Sequence, residues 1–153
     1  MVTFIGDFEC KTDDKGRIVL PAAFKKAVGK EDLRFVVKKH LFHNCLVMYL
    51  YSHWEEELIR LRNSTNSYSE KHSRFLRGFF RGSADIVLDG NGRFLIPRRL
   101  MDQVGVGKEV VLIGIDRFIE LWDRQAYEAM ADDHDNVGQL AESIMGRGVA
   151  NEE

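Results

Sequence analysis

The chain has 153 residues, of which 44% are hydrophobic and 30% are charged, a composition typical of folded globular proteins. No apolar run approaches the roughly 18–20 residues that span a bilayer, and the acidic start of the chain argues against a signal peptide. The two cysteines form no C-x-x-C pair and nothing indicates an oxidising compartment. We therefore expect a cytoplasmic protein without membrane association.

Charge is unevenly distributed along the chain. The net charge is −2, but residues 123–153 carry two arginines against eight acidic residues, a net charge of −6, which leaves +4 for residues 1–122. A basic face on the main body of a protein steers it toward DNA. This distribution permits a nucleic-acid partner without requiring one.

A ten-residue motif occurs twice, as "TDDKGRIVLP" at residues 12–21 and as "LDGNGRFLIP" at residues 88–97. Both copies read Asp, three residues, Arg, three apolar residues and Pro. The match continues at the same offset of 76 residues through "AAFKKAVG" and "RRLMDQVG". Proline followed by about two helical turns and a glycine predicts a short helix with proline as its first residue.

Further strands and a longer helix follow in each half. The β-branched runs at residues 33–39 and 108–114 predict strands. Residues 45–57 then match residues 118–130 after a shorter hairpin loop. Each half therefore reads strand, turn, strand, short helix, strand, hairpin, strand and longer helix.

The chain is predicted to be mainly β with short helices (α+β), in two tandem domains. We place the domains at residues 1–62 and 74–130, joined by a polar linker at residues 63–73. An acidic tail at residues 131–153 should contain a frayed helix and a mobile end. Neither half has enough apolar residues to bury a core alone, so we expect one shared β-rich core with pseudo-two-fold symmetry.

Two helices carry specific predictions. Ser52 followed by Glu55 predicts a capping box at the start of the longer helix of the first half. In residues 70–84 a basic residue recurs every three or four positions, so a helix there would carry a basic stripe and place phenylalanines on another face. That basic stripe is compatible with a solvated surface, a phosphate contact or a subunit interface.

The D-x-x-x-R motifs predict two sharp turns. The glycine before each arginine, Gly16 or Gly92, permits a positive φ and a turn that re-aims the next side chain. The aspartate that opens each motif can hydrogen-bond backbone amides of the turn or pair with the arginine and orient it. A β-turn with a local ion pair and no function would show the same features, so the repeat establishes duplication and leaves function open.

Other kinds of site are disfavoured by the spacing of the residues. "DGNGRF" would place Arg93 and Leu100 where a calcium loop needs oxygen ligands, and a strand follows it where a dinucleotide motif needs a helix. His40, His43 and Cys45 lack a fourth zinc ligand nearby. No nucleophile and base are indicated by spacing. We expect no enzyme activity, no metal, no cofactor and no small-molecule substrate.

Four segments, in this order and length, resemble the MraZ family of bacterial transcriptional regulators over roughly residues 1–130: "FIGDFECKTDDKGRIVLPAAF", "CLVMYLYSHWEEE", "VLDGNGRFLIPRRL" and "VVLIGIDRFIELWDRQAYEAM". The resemblance implies two tandem AbrB-like domains of the swapped-hairpin, double-psi-like type. It implies closed rings of about eight or more subunits. It also implies binding to short G-rich direct repeats of double-stranded promoter DNA, usually with repression of the division and cell-wall gene cluster that contains the family member's own gene.

Carried onto this chain, the resemblance implies two sets of site residues. The DNA contacts are Lys15, Arg17, Asn91 and Arg93. The residues that shape and orient the turns are Asp13, Gly16, Asp89 and Gly92. Asn91 stands where the first motif has Lys15, so the second motif is less basic and the two need not contact DNA equally. The implied location is the cytoplasm, in association with the nucleoid. The alternative function is an AbrB-like module that binds a protein partner through its acidic C-terminal tail.

Overall fold

The structure is a computed structural model of the chain, and it describes residues 2–30, 32–132 and 137–146. The first half contains β1 (Asp7–Lys11), β2 (Arg17–Val19), α1 (Ala22–Val28), β3 (Arg34–Lys39), β4 (Leu46–Leu50) and α2 (Tyr51–Ser64). Helix α3 (Glu70–Phe80) leads to the second half, which contains β5 (Ala84–Val87), β6 (Arg93–Leu95), α4 (Arg98–Gln103), β7 (Glu109–Ile115), β8 (Phe118–Asp123) and α5 (Arg124–Asp132). Helix α6 (Val137–Met145) follows. No helix in the described residues is long and apolar enough to cross a membrane.

The two halves exchange their outer strands in one six-stranded antiparallel sheet of order β1-β7-β8-β4-β3-β5. Strand β1 of the first half pairs with β7 of the second, and β5 of the second half pairs with β3 of the first. Strands β4 and β8 meet at the centre, where Val47 lies opposite Glu120, its equivalent in the repeat. This arrangement confirms the predicted α+β fold, the strand exchange and the shared core.

Strands β2 and β6 form a separate two-stranded antiparallel ribbon, called the ribbon below. Its central pair is Ile18 opposite Phe94, which are also equivalent positions of the repeat. Both side chains are buried in the main core, with exposed fractions of 0% and 2%. The ribbon therefore lies on the pseudo-two-fold axis, and its inner face closes the core.

Successive side chains of β3 point to opposite faces of the large sheet. Phe35 and Val37 point into the main core beneath the ribbon. Val36 points to the other face, where Trp54 of α2 and Phe79 of α3 cover it. The ribbon and the layer formed by α2 and α3 thus lie on opposite faces of the sheet. Of residues 70–84, where a helix would carry a basic stripe, Glu70–Phe80 are helical as α3 and Ala84 begins β5.

The predicted capping box at Ser52 is wrong. Helix α2 begins at Tyr51, directly after β4, and its N-cap Leu50 provides no side-chain hydrogen bond. The chain passes from strand to helix without an intervening loop, so Ser52 falls inside the first turn. A cap does form at the start of α3, where Ser69 Oγ accepts a hydrogen bond from the His72 N–H at 3.3 Å.

Helix limits differ from the prediction in three places. Helix α2 continues through Ser64 and α3 begins at Glu70, so much of the predicted linker at residues 63–73 is helical. Pro21 and Pro97 are N-caps of α1 and α4 and not their first residues. The predicted tail at residues 131–153 starts within α5 and includes α6. Residues 133–136 and 147–153, and with them the predicted mobile end, lie outside the described residues. The domain limits stay a prediction.

Candidate nucleic-acid interface

The first D-x-x-x-R motif forms a tight turn closed by the carboxylate of Asp13. Oδ1 of Asp13 accepts hydrogen bonds from the backbone N–H groups of Lys15 at 2.9 Å and Arg17 at 2.8 Å, and Oδ2 accepts one from Arg17 Nε at 2.8 Å. In the backbone, the Gly16 N–H donates to the Asp13 carbonyl and the Asp13 N–H donates to the Arg17 carbonyl, each at 2.9 Å. One carboxylate therefore fixes both the turn and the direction of the arginine.

The second motif repeats this geometry around Asp89. Its Oδ1 accepts hydrogen bonds from the N–H groups of Asn91 and Arg93, and its Oδ2 accepts one from Arg93 Nε, all at 2.9 Å. The Gly92 N–H donates to the Asp89 carbonyl at 3.0 Å, and the Asp89 N–H donates to the Arg93 carbonyl at 2.8 Å. Both carboxylate oxygens are occupied by N–H donors, which agrees with a turn and not with a calcium loop.

Hydrogen bonding keeps both aspartates ionised. The backbone N–H of Arg17 is the main cause that lowers the pKa of Asp13 below its ordinary value of 3.8, and the N–H of Arg93 does the same for the pKa of Asp89. Desolvation acts in the opposite direction without reversing the shift. Each arginine is therefore an oriented donor beside a carboxylate and not an isolated positive charge.

The turn glycines are required by the backbone. Gly16 has φ = +83° and Gly92 has φ = +74°, a left-handed region that other residues rarely adopt. A Cβ at position 92 would also lie 2.8 Å from Lys25 Nζ, whereas a Cβ at position 16 would meet Leu95 Cδ1 at an ordinary 3.5 Å. The second turn is thus the more crowded of the two.

The ribbon brings both arginines onto one surface. Arg17 lies opposite Leu95, and Val19 lies opposite Arg93. Cross-strand partners share a face, and because the central pair of the ribbon points into the core, these four side chains point outward. Arg17 and Arg93 are diagonal neighbours, about 7–8 Å apart in an antiparallel pair. Val19 and Leu95 occupy the other diagonal of this face and are 57% and 53% exposed.

The predicted contact residues are accessible. Lys15 and Asn91 are exposed at the tips of the turns, and the side chains of Arg17 and Arg93 are 29% and 28% exposed. The aspartates bind Nε, and no hydrogen bond within the described residues occupies a terminal nitrogen of either arginine. A guanidinium held in this way presents two donors to a bidentate acceptor. That these residues contact DNA stays a prediction.

Strand exchange places a helix of the opposite half beside each turn. The first turn adjoins α4, whose Arg98 and Met101 line the same surface depression of about 640 Å³. The second turn adjoins Lys25 of α1, which lies over Gly92. Sequence reasoning missed Lys25 and Arg98, because each belongs to a different half from the turn beside it. The swapped arrangement that the resemblance implies was the signal that could have found them.

The histidine and cysteine residues of the β3–β4 hairpin are not brought together as a metal site. His40 Nε2 lies 3.4 Å from Glu120 Oε2, and burial raises the pKa of the Cys45 thiol to about 12. The residues that the structure describes contain no cluster of three or more His, Cys, Asp or Glu arranged to hold a metal ion.

Fold and turns together define a class of small, internally duplicated β proteins that exchange outer strands and present paired Asp–Arg turns. A family model described as "MraZ protein, putative antitoxin-like" matches the chain at residues 3–77 and again at residues 79–144. The chain is 38% identical over 149 residues to the transcriptional regulator MraZ of Christiangramia forsetii, covering 95% of both chains. It is 37% identical over 147 residues to the Bacteroides fragilis protein of the same name, covering 95% of this chain and 92% of that one. Identity to the Acetivibrio thermocellus protein of that name is 32% over 148 residues, covering 95% and 99%.

The chain therefore belongs to the MraZ family, as its resemblance predicted. The double match assigns one copy of the family pattern to each half of the repeat. The relatives are named as transcriptional regulators, so the role of this chain is regulatory and not enzymatic.

Proposed function

We propose that this chain is a sequence-specific DNA-binding repressor of the division and cell-wall gene cluster that contains its own gene. It works in the cytoplasm in association with the nucleoid, and it binds short G-rich direct repeats of double-stranded DNA in its own promoter. The observation that carries the proposal is the ribbon, because one outward face of it holds both Arg17 and Arg93.

The ribbon has the shape and chemistry to read base edges. The major groove is about 12 Å wide and admits a two-stranded β-ribbon. The two free donors of Arg17 or Arg93 match guanine O6 and N7, the commonest specific contact of arginine in that groove. Val19 and Leu95, exposed on the same face, are suited to thymine methyl groups. One insertion thus supplies one polar and one apolar contact at each end of the ribbon.

Cations around the ribbon position it on the duplex. Lys15 is at the tip of the first turn, Lys25 lies over the second, and Arg98 lines the depression beside the first. Phosphate contacts by such residues set register and orientation, whereas base contacts set sequence preference. The exposed amide of Asn91 adds a hydrogen-bonding group where the first turn has a charge.

Several subunits are needed for tight binding. The charge of +4 on residues 1–122 is modest, so one ribbon on one repeat should bind weakly and with strong salt dependence. A closed ring of about eight or more subunits that presents identical ribbons gains roughly 10²–10⁴ in affinity through effective concentration. Head-to-tail neighbours face the same way, which suits direct repeats in the DNA.

Arg17→Ala tests the proposal. The loss of a bidentate contact should weaken binding to a duplex with G-rich repeats by about 1–3 kcal/mol, or roughly 5- to 150-fold. Arg62→Ala is the matched control, because it removes the same charge from α2 on the opposite face of the sheet. Fluorescence anisotropy at fixed salt measures both, and a sizing column checks that assembly is unchanged. Parent-like affinity of Arg17→Ala would contradict the proposal.

A further inference from the structure

Helix α6 exposes an apolar stripe. Val137, Leu140, Ile144 and Met145 recur at helical spacing and are 73%, 50%, 76% and 79% exposed. No residue of α6 is buried. The helix therefore makes little use of its apolar face within its own chain.

A helix of this kind needs a partner. It has nine residues, and isolated helices shorter than about 12–15 residues are marginal in water because their stability comes from packing an amphipathic face. Contiguous exposed apolar residues mark interaction surfaces. The core of the same chain does not cover the stripe, so another surface must cover it.

Helix α3 offers an exposed surface with both apolar and basic groups. Its outer side forms a shallow depression of about 850 Å³ lined by Arg74, Leu76, Arg77, Gly78, Phe80 and Arg81. Phe80 is 40% exposed there, and a Cβ at Gly78 would meet no atom within 4 Å. Within the described residues, Arg74 pairs with Glu70, whereas Arg77 and Arg81 have no carboxylate partner. The depression thus combines apolar lining with unpaired positive charge.

The sequence segments that contain the two helices carry opposite charge. Residues 128–153, which include α6, contain seven acidic residues and one arginine. Residues 70–81, which include α3, contain four basic residues and one acidic residue. An acidic segment with an apolar helix fits a basic helix with an apolar depression in both charge and polarity. DNA phosphates would match the arginines alone and would leave the stripe on α6 uncovered.

We propose that α6 of one subunit packs into the α3 depression of a second copy of this chain. The apolar stripe of α6 and the α3 depression are both exposed in a single chain. A contact between two copies would bury the stripe of one copy against the depression of the other. The surfaces differ, which makes the contact head-to-tail, and head-to-tail contacts form a ring when the rotation between neighbouring subunits closes. The proposal rests on the ring assembly of the proposed function and names the interface that builds it.

A single charge in the stripe tests the contact. Ile144→Glu places a carboxylate within the stripe. Ser143→Glu adds the same charge at the preceding residue, on the polar side of α6. Light scattering should give a multimer for the parent and for Ser143→Glu, and the 17.6 kDa mass of one chain for Ile144→Glu. Because α6 buries no residue, circular dichroism melting should show all three proteins folded. A parent-like mass for Ile144→Glu would overturn the proposal.

Cross-linking locates the contact independently. One protein carries Ile144→Cys and a second, differently tagged protein carries Gly78→Cys, both with Cys10→Ser, since Cys10 is half-buried. Native Cys45 is fully buried and does not interfere. After subunit exchange and oxidation, a disulfide-linked heterodimer is expected, and Ser143→Cys in place of Ile144→Cys should give far less of it. Absence of the heterodimer would overturn the proposal.

The outcomes separate this contact from the proposed function. A monomeric parent would overturn both the ring and the contact. A multimeric parent whose mass survives Ile144→Glu would overturn the contact and leave the ring standing. Binding to a duplex with one repeat reports on the ribbon alone, so a parent-like Arg17→Ala there would overturn the DNA site and leave the contact standing.

Discussion

The two halves hold their D-x-x-x-R turns in the same geometry and surround them with different charges. The first turn has Lys15 at its tip and Met101 beside it, whereas the second has Asn91 at its tip and Lys25 beside it. The hydrogen bonds of the carboxylates agree to within 0.1 Å. Backbone chemistry is thus the same in both halves. The first turn has a lysine at its tip and Arg98 of α4 nearby, whereas the second has Lys25 of α1 beside it. Both halves contribute a strand to the ribbon, which is the DNA-binding unit of the proposed function.

The largest expected effect comes from the second arginine. If the ribbon is one unit, Arg93→Ala should weaken binding to the repeat duplex in the same range as Arg17→Ala, about 1–3 kcal/mol. Both variants are measured by anisotropy on one duplex at one salt concentration. If Arg93→Ala binds the duplex like the parent, the second turn lies outside the interface and the two halves are not equivalent in DNA binding.

The turn glycines should show the next largest effect. Gly16→Ala and Gly92→Ala each force an L-residue into the left-handed region and should lower the free energy of unfolding by about 1–2 kcal/mol. The added methyl at position 92 also displaces the flexible end of Lys25, so Gly92→Ala should lose more DNA affinity than Gly16→Ala. Urea unfolding measures the first effect and anisotropy the second. Parent-like stability of either variant would show that its turn tolerates another residue.

Lys25→Met gives the second turn the neighbour that the first turn has. If Lys25 contacts a phosphate, the slope of log affinity against log salt should fall in magnitude by about 1. Lys26→Met, which removes the same charge from the adjacent exposed position, should change the slope less. An unchanged slope for Lys25→Met would mean that this lysine only shields the turn.

The smallest expected effect is on pH dependence. The pKa values of Asp13 and Asp89 lie below 3.8 in the folded chain. The stability that these carboxylates contribute is therefore fully present above the unfolded value of about 3.9 and is lost as the pH falls through the lowered pKa. Carbon-detected NMR titration, with Asp13→Asn and Asp89→Asn for assignment, should give both midpoints below 3.8. A midpoint at or above that value would contradict the hydrogen-bonding scheme.

Much of the fold could be predicted from the internal repeat. Prolines and glycines mark the ends of α1 and α4, and β-branched runs mark β3 and β7, so element order follows from local chemistry. Which antiparallel strands pair does not follow from local chemistry. An apolar strand fits many partners of similar pattern, so the sequence pattern alone does not choose between them. The exchange of β1 and β5 was therefore predicted only through the family resemblance.

The site was predictable in its turns and not in its surroundings. Asp, Gly and Arg at fixed spacing determine a local geometry, and the structure forms it twice. The register that sets Arg17 opposite Leu95 depends on contacts 74 or more residues apart in sequence, which no local pattern records. The cap at Ser52 failed for a related reason, since the entry of β4 into α2 determined where the helix begins.

The most direct test of the shared ribbon combines a change in the protein with a change in the DNA. Guanines of the repeats are replaced by 7-deazaguanine, which lacks the N7 acceptor, and affinity is measured for the parent and for the double variant Arg17→Ala with Arg93→Ala. If the ribbon reads guanine, the parent loses affinity on the altered duplex, while the double variant binds both duplexes equally. An equal loss in both proteins would contradict a shared reading ribbon, because guanine would then be read by other residues.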